Sequence, residues 1–501
     1  MSEGTGQSTL SSGKNSVELA TRTPLPQSTS TLYLTRTREG GEATGSIAEE
    51  GRRSPESSIP AWASSQLPPV DGGFGAWSFL AGAFMAETIV WGFPTSYGTF
   101  LDAYLDDPRF KSQQNATSLL ALVGPVASGI MYCGSPVINP IVARHPRYRR
   151  PLIWLGTCLC FLSLFCASYA KTVAQLVALQ GVMYALGGSL IYAPTICYMS
   201  QWFSARRGLA NGVMFAGSSL GGIVLPLVFP PLLARFGIAT TLRIFAGAVV
   251  ACLMPLLPFI KGRIPDALSS PVQGPQPRNR KEWYKERAFQ FLLATNTLQA
   301  FGYFVPLVWL PTFASALNLN ASRSSLTLAL LNAASATGRL SMGIISDRFD
   351  PWAIAFGTLL LTSFAAFVLW GVLSHTFAGL VAFGIVYGAF SGGWSTLWTG
   401  FLRPIAKDDP NYSTTLFGWL LLTRGLGNIL STPISTALEK HVSGNKDGTL
   451  DIGFHVAGGR FEKMIVYTGT CFAAAALVVI IGWGVEKKKR HQMTQTTSIE
   501  L

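Results

Sequence analysis

Apolar stretches dominate this chain from residue 77 onward. Each is about as long as a helix needs to cross a bilayer, roughly 20 residues. Short polar breaks separate them, and the pattern predicts twelve spans near 77–100, 116–138, 151–170, 173–200, 207–233, 241–260, 288–311, 323–346, 353–372, 377–401, 414–437 and 464–484. The expected fold class is an all-α membrane protein. Residues 1–75 break the pattern. They are rich in Ser, Thr, Gly, Glu and Pro and cannot bury enough apolar surface to offset the entropy of ordering, so they read as a disordered tail. A second polar stretch, 263–286, is basic and contains prolines. It reads as a linker between a six-helix half at 76–262 and another at 287–485, with a basic tail at 486–501. No apolar run opens the chain, so no cleavable signal is expected and the first membrane helix is expected to direct insertion.

Composition sharpens this reading. Only 13% of the residues are charged, against about 25% in an average soluble domain. The net charge of +13 would suit a nucleic-acid binder, but its placement does not. With the N-terminus inside, the inner loops and tail carry about twice as many Lys and Arg as the outer loops, which is a topology signal. Both termini are therefore expected in the cytosol; the bilayer is an expected partner and nucleic acid is not. The plasma membrane is the first expectation, a vacuolar membrane the second. The sequons at Asn115 and Asn320 then face outside and are open to glycosylation, while the one at Asn411 faces inside. Seven cysteines, an odd number without a CxxC pair, give neither a disulfide framework nor a metal site. No HExxH occurs and all five histidines fall in loops or tails, so neither an enzyme nor a bound cofactor is expected.

The two halves repeat. The stretch 134-GSPVINPIVAR-144 aligns with 338-GRLSMGIISDR-348, 176-LVALQGVMY-184 with 380-LVAFGIVY-387, and 218-SSLGGIV-224 with 424-RGLGNIL-430, at offsets of 203 to 206. The overlay sets Arg339 on Ser135 and Arg424 on Ser218, an asymmetry expected where one substrate binds off the axis. A charge near the bilayer centre costs about 2.5–3.5 kcal/mol on insertion scales and normally faces a bundle interior or a watery cavity. Three ionisable residues fall deep in the spans: Glu87, Arg339 and Arg424. With all three ionised the surplus is positive, which favours an anion, and a guanidinium grips a carboxylate through two parallel hydrogen bonds. Arg339 and Arg424 are thus candidate substrate contacts and Glu87 a candidate proton carrier. The plainer alternative is a structural ion pair, or an Arg339 that snorkels. Asn296, Gln299 and Tyr303 lie near one face of the seventh span and are further candidates, with helix-to-helix hydrogen bonding as the alternative. Gln299 lies opposite Glu87 in the overlay. Tyr184 and Tyr387 coincide and read as scaffold, and Gly217, Gly221, Gly425 and Gly427 as points of close helix approach.

Two further motifs carry a resemblance. The run 71-DGGFGAW-77, after Pro68 and Pro69, and 202-WFSARRGLANGVMFAGSSLGG-222 together resemble the paired signatures of the monocarboxylate porter family within the major facilitator superfamily, in its fungal style. The first departs by one extra residue, Ala76. The resemblance covers residues 68–485. It implies twelve transmembrane helices in two pseudo-symmetric six-helix halves, and secondary transport of a small monocarboxylate-like organic anion by alternating access, with proton coupling. It also implies that Arg339 in 338-GRLSMG-343 is the carboxylate's partner. Asp71, Gly72, Gly73, Arg206, Arg207 and Gly208 would serve the conformational cycle, as would Asp347 and Arg348 of the superfamily loop motif. Two positions depart from the proton-coupled lactate carriers: Thr95 stands for the lysine after Phe-Pro in the first helix, and Ser335 for the aspartate four residues before the arginine. Simple lactate–proton symport is therefore not implied. Export of a secondary metabolite and a non-transporting nutrient sensor stand as alternatives.

Overall fold

The structure, a computed structural model, describes residues 67–265, 283–406, 410–439 and 452–499; the tail expected up to residue 75 falls largely outside these, as does most of the linker. Every described element is helical. The membrane helices are α1 (Gly73–Asp106), α2 (Leu119–Cys133 with Ser135–Arg144), α3 (Pro146–Ala167) and α4 (Val173–Trp202). The run Arg207–Leu253 supplies α5 (207–236) and α6 (238–253). Then come α7 (Arg287–Ala316), α8 (Ala321–Ser346), α9 (Pro351–Trp370), α10 (Phe377–Ala406), α11 (Pro410–Leu438) and α12 (Glu462–Ile499). Among the described residues, nine helical runs are long and apolar enough to span. The bent α2 adds a tenth, the division of Arg207–Leu253 an eleventh, and α11 a twelfth; polar positions such as Arg424 and Asn428 dilute the hydropathy of α11.

Prolines and glycines move several boundaries from the pattern's expectation. Pro94 lies inside α1, where its missing N–H leaves the Val90 carbonyl without its helical donor, and two residues later the helix breaks at Ser96 and resumes at Tyr97. α2 bends by 44° at Gly134, beside Pro136. The fifth and sixth spans were expected to be separated by a loop at 234–240. Instead the chain turns at Gly237 (φ 73°, ψ 173°), a conformation glycine adopts readily. α6 ends at Leu253 rather than 260, since Pro255 and Pro258 cannot continue it. Conversely, the segment expected as a basic tail stays helical to Ile499, having no Gly or Pro and many good helix formers.

The sequence repeat is a repeat of contacts. Helices α2 and α8 are offset by 204 residues, α5 and α11 by 206, and the seams α5–α8 and α2–α11 join the halves. A methyl on Gly212 would stand 2.5 Å from the Arg339 carbonyl oxygen, and one on Gly418 would stand 3.0 Å from that of Ser135. Asn332 Nδ2 donates to Gly222 O at 3.5 Å, and its counterpart contact has Asn428 Nδ2 donating to Ser128 Oγ at 2.6 Å. Within the halves the same holds: Gly221 lies on the Thr88 carbonyl and Gly427 on that of Ala300. Tyr184 donates to Ile89 O at 3.0 Å, and Tyr387 to Tyr303 O at 2.9 Å, so the coincident tyrosines tie the fourth and tenth helices to the first and seventh.

Candidate functional site

Call the end where α1 begins the near face. Midway along the bundle, the seams α5–α8 and α2–α11 leave a cavity of about 30 Å³, in which Glu87, Arg339 and Arg424 come together. All three are buried, with at most 8% exposure, so any charge they carry acts out of water. Arg339 reaches from α8 across the seam. Its Nη1 donates to Phe215 O and Ser218 Oγ, and its Nε donates to Gly392 O at 3.2 Å. Its Nη2 has no hydrogen-bond partner among the described residues, which leaves one edge of the guanidinium for a ligand. Ser218 is the repeat partner of Arg424, so each arginine faces the place where the other half carries a hydroxyl.

Arg424 is held differently. Its Nη1 donates to Gln299 Oε1 at 3.3 Å. Its guanidinium carbon lies 4.2 Å from the ring centre of Tyr303, 5.5 Å from that of Phe304 and 6.0 Å from that of Trp398, within range of cation–π attraction. Gln299 and Tyr303 thus contact Arg424 and do not line the cavity themselves. Asn296 does not line the cavity: its amide donates to Leu420 O and Thr423 Oγ1 and accepts from Trp394 Nε1, which exhausts it as a tie between α7, α10 and α11. No hydrogen bond or ion pair engages Glu87 among the described residues.

The rest of the wall is mostly aromatic. Trp91, Tyr132, Tyr192, Phe215 and Trp398 line it, with Ser395 and Leu421. Sequence reasoning did not single these out, because an aromatic facing a cavity looks like one facing lipid or a neighbouring helix. The available signal was spacing: Trp91 follows Glu87 by four residues, and Leu421 precedes Arg424 by three.

The motif residues gather at the near face, around the start of α5. The Asp71 carboxylate accepts from the backbone N–H groups of Ser204, Ala205 and Arg206 at 2.9–3.0 Å. Asp347, from the other half, accepts from those of Gly208 and Leu209 at 2.8 and 2.9 Å. Asp347 thus takes two donors that the first turn of α5 leaves unsatisfied, and Asp71 takes those of the three residues leading into it. Burial pushes the Asp347 carboxyl up from the ordinary aspartate range, against the opposing pull of its two N–H partners and of Arg403. Gly208 is required here, since a Cβ would stand 2.4 Å from Ser346 Oγ and 2.5 Å from Gly343 O. Gly73 takes φ 79° at the start of α1, and Gly72 is its extended cap. Arg207 is buried and donates through Nε to Phe203 O; Arg206 and Arg348 are exposed. A further buried arginine went unforeseen: Arg149 donates to Val142 O and Ala143 O, closing the end of α2. On the opposite face Asn115 and Asn320 are exposed, and Asn320 Oδ1 caps α8 by accepting from Arg323 N. The side chain of Asn411 lies outside the described residues.

Comparison with known proteins places this architecture. The profile of the Major Facilitator Superfamily matches residues 79–432. The Fujikurins efflux protein of Gibberella fujikuroi is 30% identical over 385 residues, covering 75% of this chain and 78% of that protein. Monocarboxylate transporter 10 of Rattus norvegicus is 25% identical over 447 residues, covering 86% of this chain and 82% of that protein. Among solved structures, the transporter FucP in its outward conformation superposes with a TM-score of 0.56 at 13% identity, covering 81% of this chain and 99% of its own; that likeness is one of fold.

Proposed function

The chain belongs to the Major Facilitator Superfamily, and on that premise we propose that it is a secondary active transporter for an organic anion with an aromatic or otherwise apolar body, coupled to protons through Glu87. The observation that carries this reading is one cavity with two arginines, a single carboxyl and aromatic walls. Arg339 offers a free edge to a carboxylate, and Arg424, stacked on aromatics, adds a second positive charge. Protonation of Glu87 would leave both arginines unopposed, so the anion would bind best to the protonated carrier. That preference couples the two fluxes.

A lactate-sized cargo is less well supported. Thr95 and Ser335 stand where lactate carriers have a lysine and an aspartate, and both hydroxyls are engaged, Thr95 with Trp91 O and Ser335 with Ser219. The printed name of the Gibberella relative, an efflux protein, supports export of a larger metabolite. In this reading the near face is cytosolic, with the sequons Asn115 and Asn320 outside and open to glycan, and the linker and both termini inside.

Counterflow into liposomes tests it. Vesicles holding the purified protein are loaded with unlabelled acid and given labelled phenylpyruvate, lactate or a polyketide carboxylic acid. Accumulation of an aromatic or polyketide acid is expected. Arg339→Ala should weaken it by about 3 kcal/mol, roughly a hundredfold, the cost of stripping one partner from a buried charge pair. Normal counterflow of these acids by a folded Arg339→Ala protein would refute the site. A carrier that accumulates only neutral analogues would refute the anion.

A further inference from the structure

On the near-face side of the central cavity two rings from opposite halves stack. Phe215 of α5 and Phe417 of α11 have centroids 6.2 Å apart and planes 17° from parallel. Trp398 of α10 stands edge-on to Phe417, with centroids 5.1 Å apart. All three are buried. The repeat fixes where the pair sits. Helices α5 and α11 are repeat mates, 206 residues apart, and parallel repeats are related by an axis along the membrane normal. A contact between two mates lies on or beside that axis, in the middle of the path a cargo takes. The backbones of α5 and α11 pack on α8 and α2, so the rings reach across the space between the seams. Depth follows from helix direction: α5 and α11 start at the near face and α10 ends there. Phe417 precedes Arg424 by seven residues, about 10 Å of helix. Phe215 precedes Ser218 by three residues, and Trp398 follows Ser395 by three. Gly208, which Asp347 grips, precedes Phe215 by a further seven. The rings therefore lie between the cavity and the carboxylates of the near face.

We propose that Phe215, Phe417 and Trp398 are the barrier between the cavity and the near face, and that this barrier passes cargo with an apolar body faster than a small polar acid. The selective half of the proposal rests on the reading of the cavity as an organic-anion site; the barrier itself does not. The repeat does not call for the pair, since the mates of Phe417 and Phe215 are Asn211 and Leu421. Phe215 and Trp398 also line the cavity, so a cargo held there rests against them. Parting Phe215 from Phe417 exposes two apolar ring faces to the water of an opening path, which is unfavourable in proportion to their area. A cargo whose body slides between the rings covers those faces as they part. Lactate, with one methyl, leaves them wet. Arg339 holds the barrier from behind, because its Nη1 donates to Phe215 O.

Thiol labelling tests the barrier without a substrate. Ser395→Cys places a reporter in the central cavity of the full chain stripped of its native cysteines, and a membrane-impermeant maleimide is added to sealed vesicles that expose the near face. Phe417→Ala should raise the labelling rate by about tenfold. Phe417→Leu, the milder change should the alanine protein fail to fold, should raise it by about threefold. Phe417→Tyr keeps the ring and should label like the parent. In vesicles of the opposite orientation no variant should label faster. Labelling of the Ala and Leu variants at the parent's rate, or a gain from both faces alike, would overturn the barrier. Counterflow then tests selection: the parent should exchange 3-phenylpropanoate faster than lactate at saturation, and Phe417→Ala or Phe417→Leu should narrow that ratio. An unchanged ratio would overturn selection by the rings. If the parent exchanges neither acid, the anion reading fails and selection falls with it, while the labelling result still decides the barrier.

Discussion

Replacing Asp347 by Ala should unlock the near face. Its carboxylate reaches from the end of α8 to the first turn of α5 in the other half and takes two N–H groups at 2.8 and 2.9 Å. A hydrogen bond to a charged acceptor contributes about 1.5–3 kcal/mol. Asp347 is exposed on one side, so solvent screening brings each bond nearer to about 1 kcal/mol. Losing both then costs about 2 kcal/mol, roughly a thirtyfold shift toward conformers open at this face. Asp347→Asn should behave otherwise. Burial opposes the charge more than the hydrogen bonds favour it, which is why the carboxyl is raised above the ordinary aspartate range while the face is closed. Opening returns the group to water and to its ordinary value, so the closed face holds the proton more tightly. Proton binding therefore adds to closure, an increment that is full below the ordinary aspartate value and is lost as pH rises through the raised one, while the ionised carboxylate keeps its two hydrogen bonds. Asparagine keeps one acceptor but turns an NH2 donor onto the second N–H, so it should open the face less than alanine does and abolish this pH dependence. Spin labels at Arg147 and Arg348, one on each half at the near face, report the distance by electron–electron resonance in a background without native cysteines. A distance distribution for Asp347→Ala that matches wild type would refute the carboxylate latch. Equal opening in Asn and Ala variants would show that charge, not the acceptor, holds it.

Three more expectations follow from the contacts. Asn332→Leu and Asn428→Leu each remove one cross-seam hydrogen bond on the far side of the cavity. Each should favour opening there by about 1 kcal/mol, roughly fivefold, and the two should add, as labels on the opposite face would show. Gly338→Ala would place a methyl 1.9 Å from Ala389 O within the C-terminal half, so it should lower thermal stability by about 2 kcal/mol or more, whereas Gly343→Ala, which collides with Gly208 O across the seam, should leave the melting temperature near wild type and block near-face closure. Tyr184→Phe and Tyr387→Phe each lose one buried hydrogen bond and should cost about 1 kcal/mol in stability while counterflow persists.

The repeat was legible because it is written in small residues. Gly212 and Gly418, or Gly221 and Gly427, recur at a fixed offset since a backbone contact tolerates nothing larger. Arg339 and Arg424 could be found because charge in an apolar run is costly and therefore rare. The aromatic wall could not: Trp91 and Trp398 are chemically indistinguishable from Trp370, which packs inside the C-terminal half. Asn296 misled for a related reason. Its spacing placed it near the face of Gln299 and Tyr303, but whether an amide is free or already spent depends on Trp394 and Thr423, far away in sequence. The break at Gly237 was blurred because the polar residues around it looked like a loop, while the backbone turned in a single residue.

The seams that join the halves are alike in backbone and unlike in side chain, and the difference bears on how a ligand could move the gate. At the near face the α5–α8 seam is held by Asp347, whereas the equivalent position on α2 is Ala143, and at the α2–α11 seam Asn139 donates to Thr414 O at 3.3 Å. The α5–α8 seam must therefore give up charge-assisted bonds to open. The α5–α8 seam is also the one that Arg339 crosses, through Phe215 O and Ser218 Oγ. An anion that drew the guanidinium toward the cavity would weaken that seam at its middle. Cargo binding and gate release would then share one residue, and Ser135, at the matching position on α2, could not do the same because its hydroxyl donates within its own helix to Met131 O.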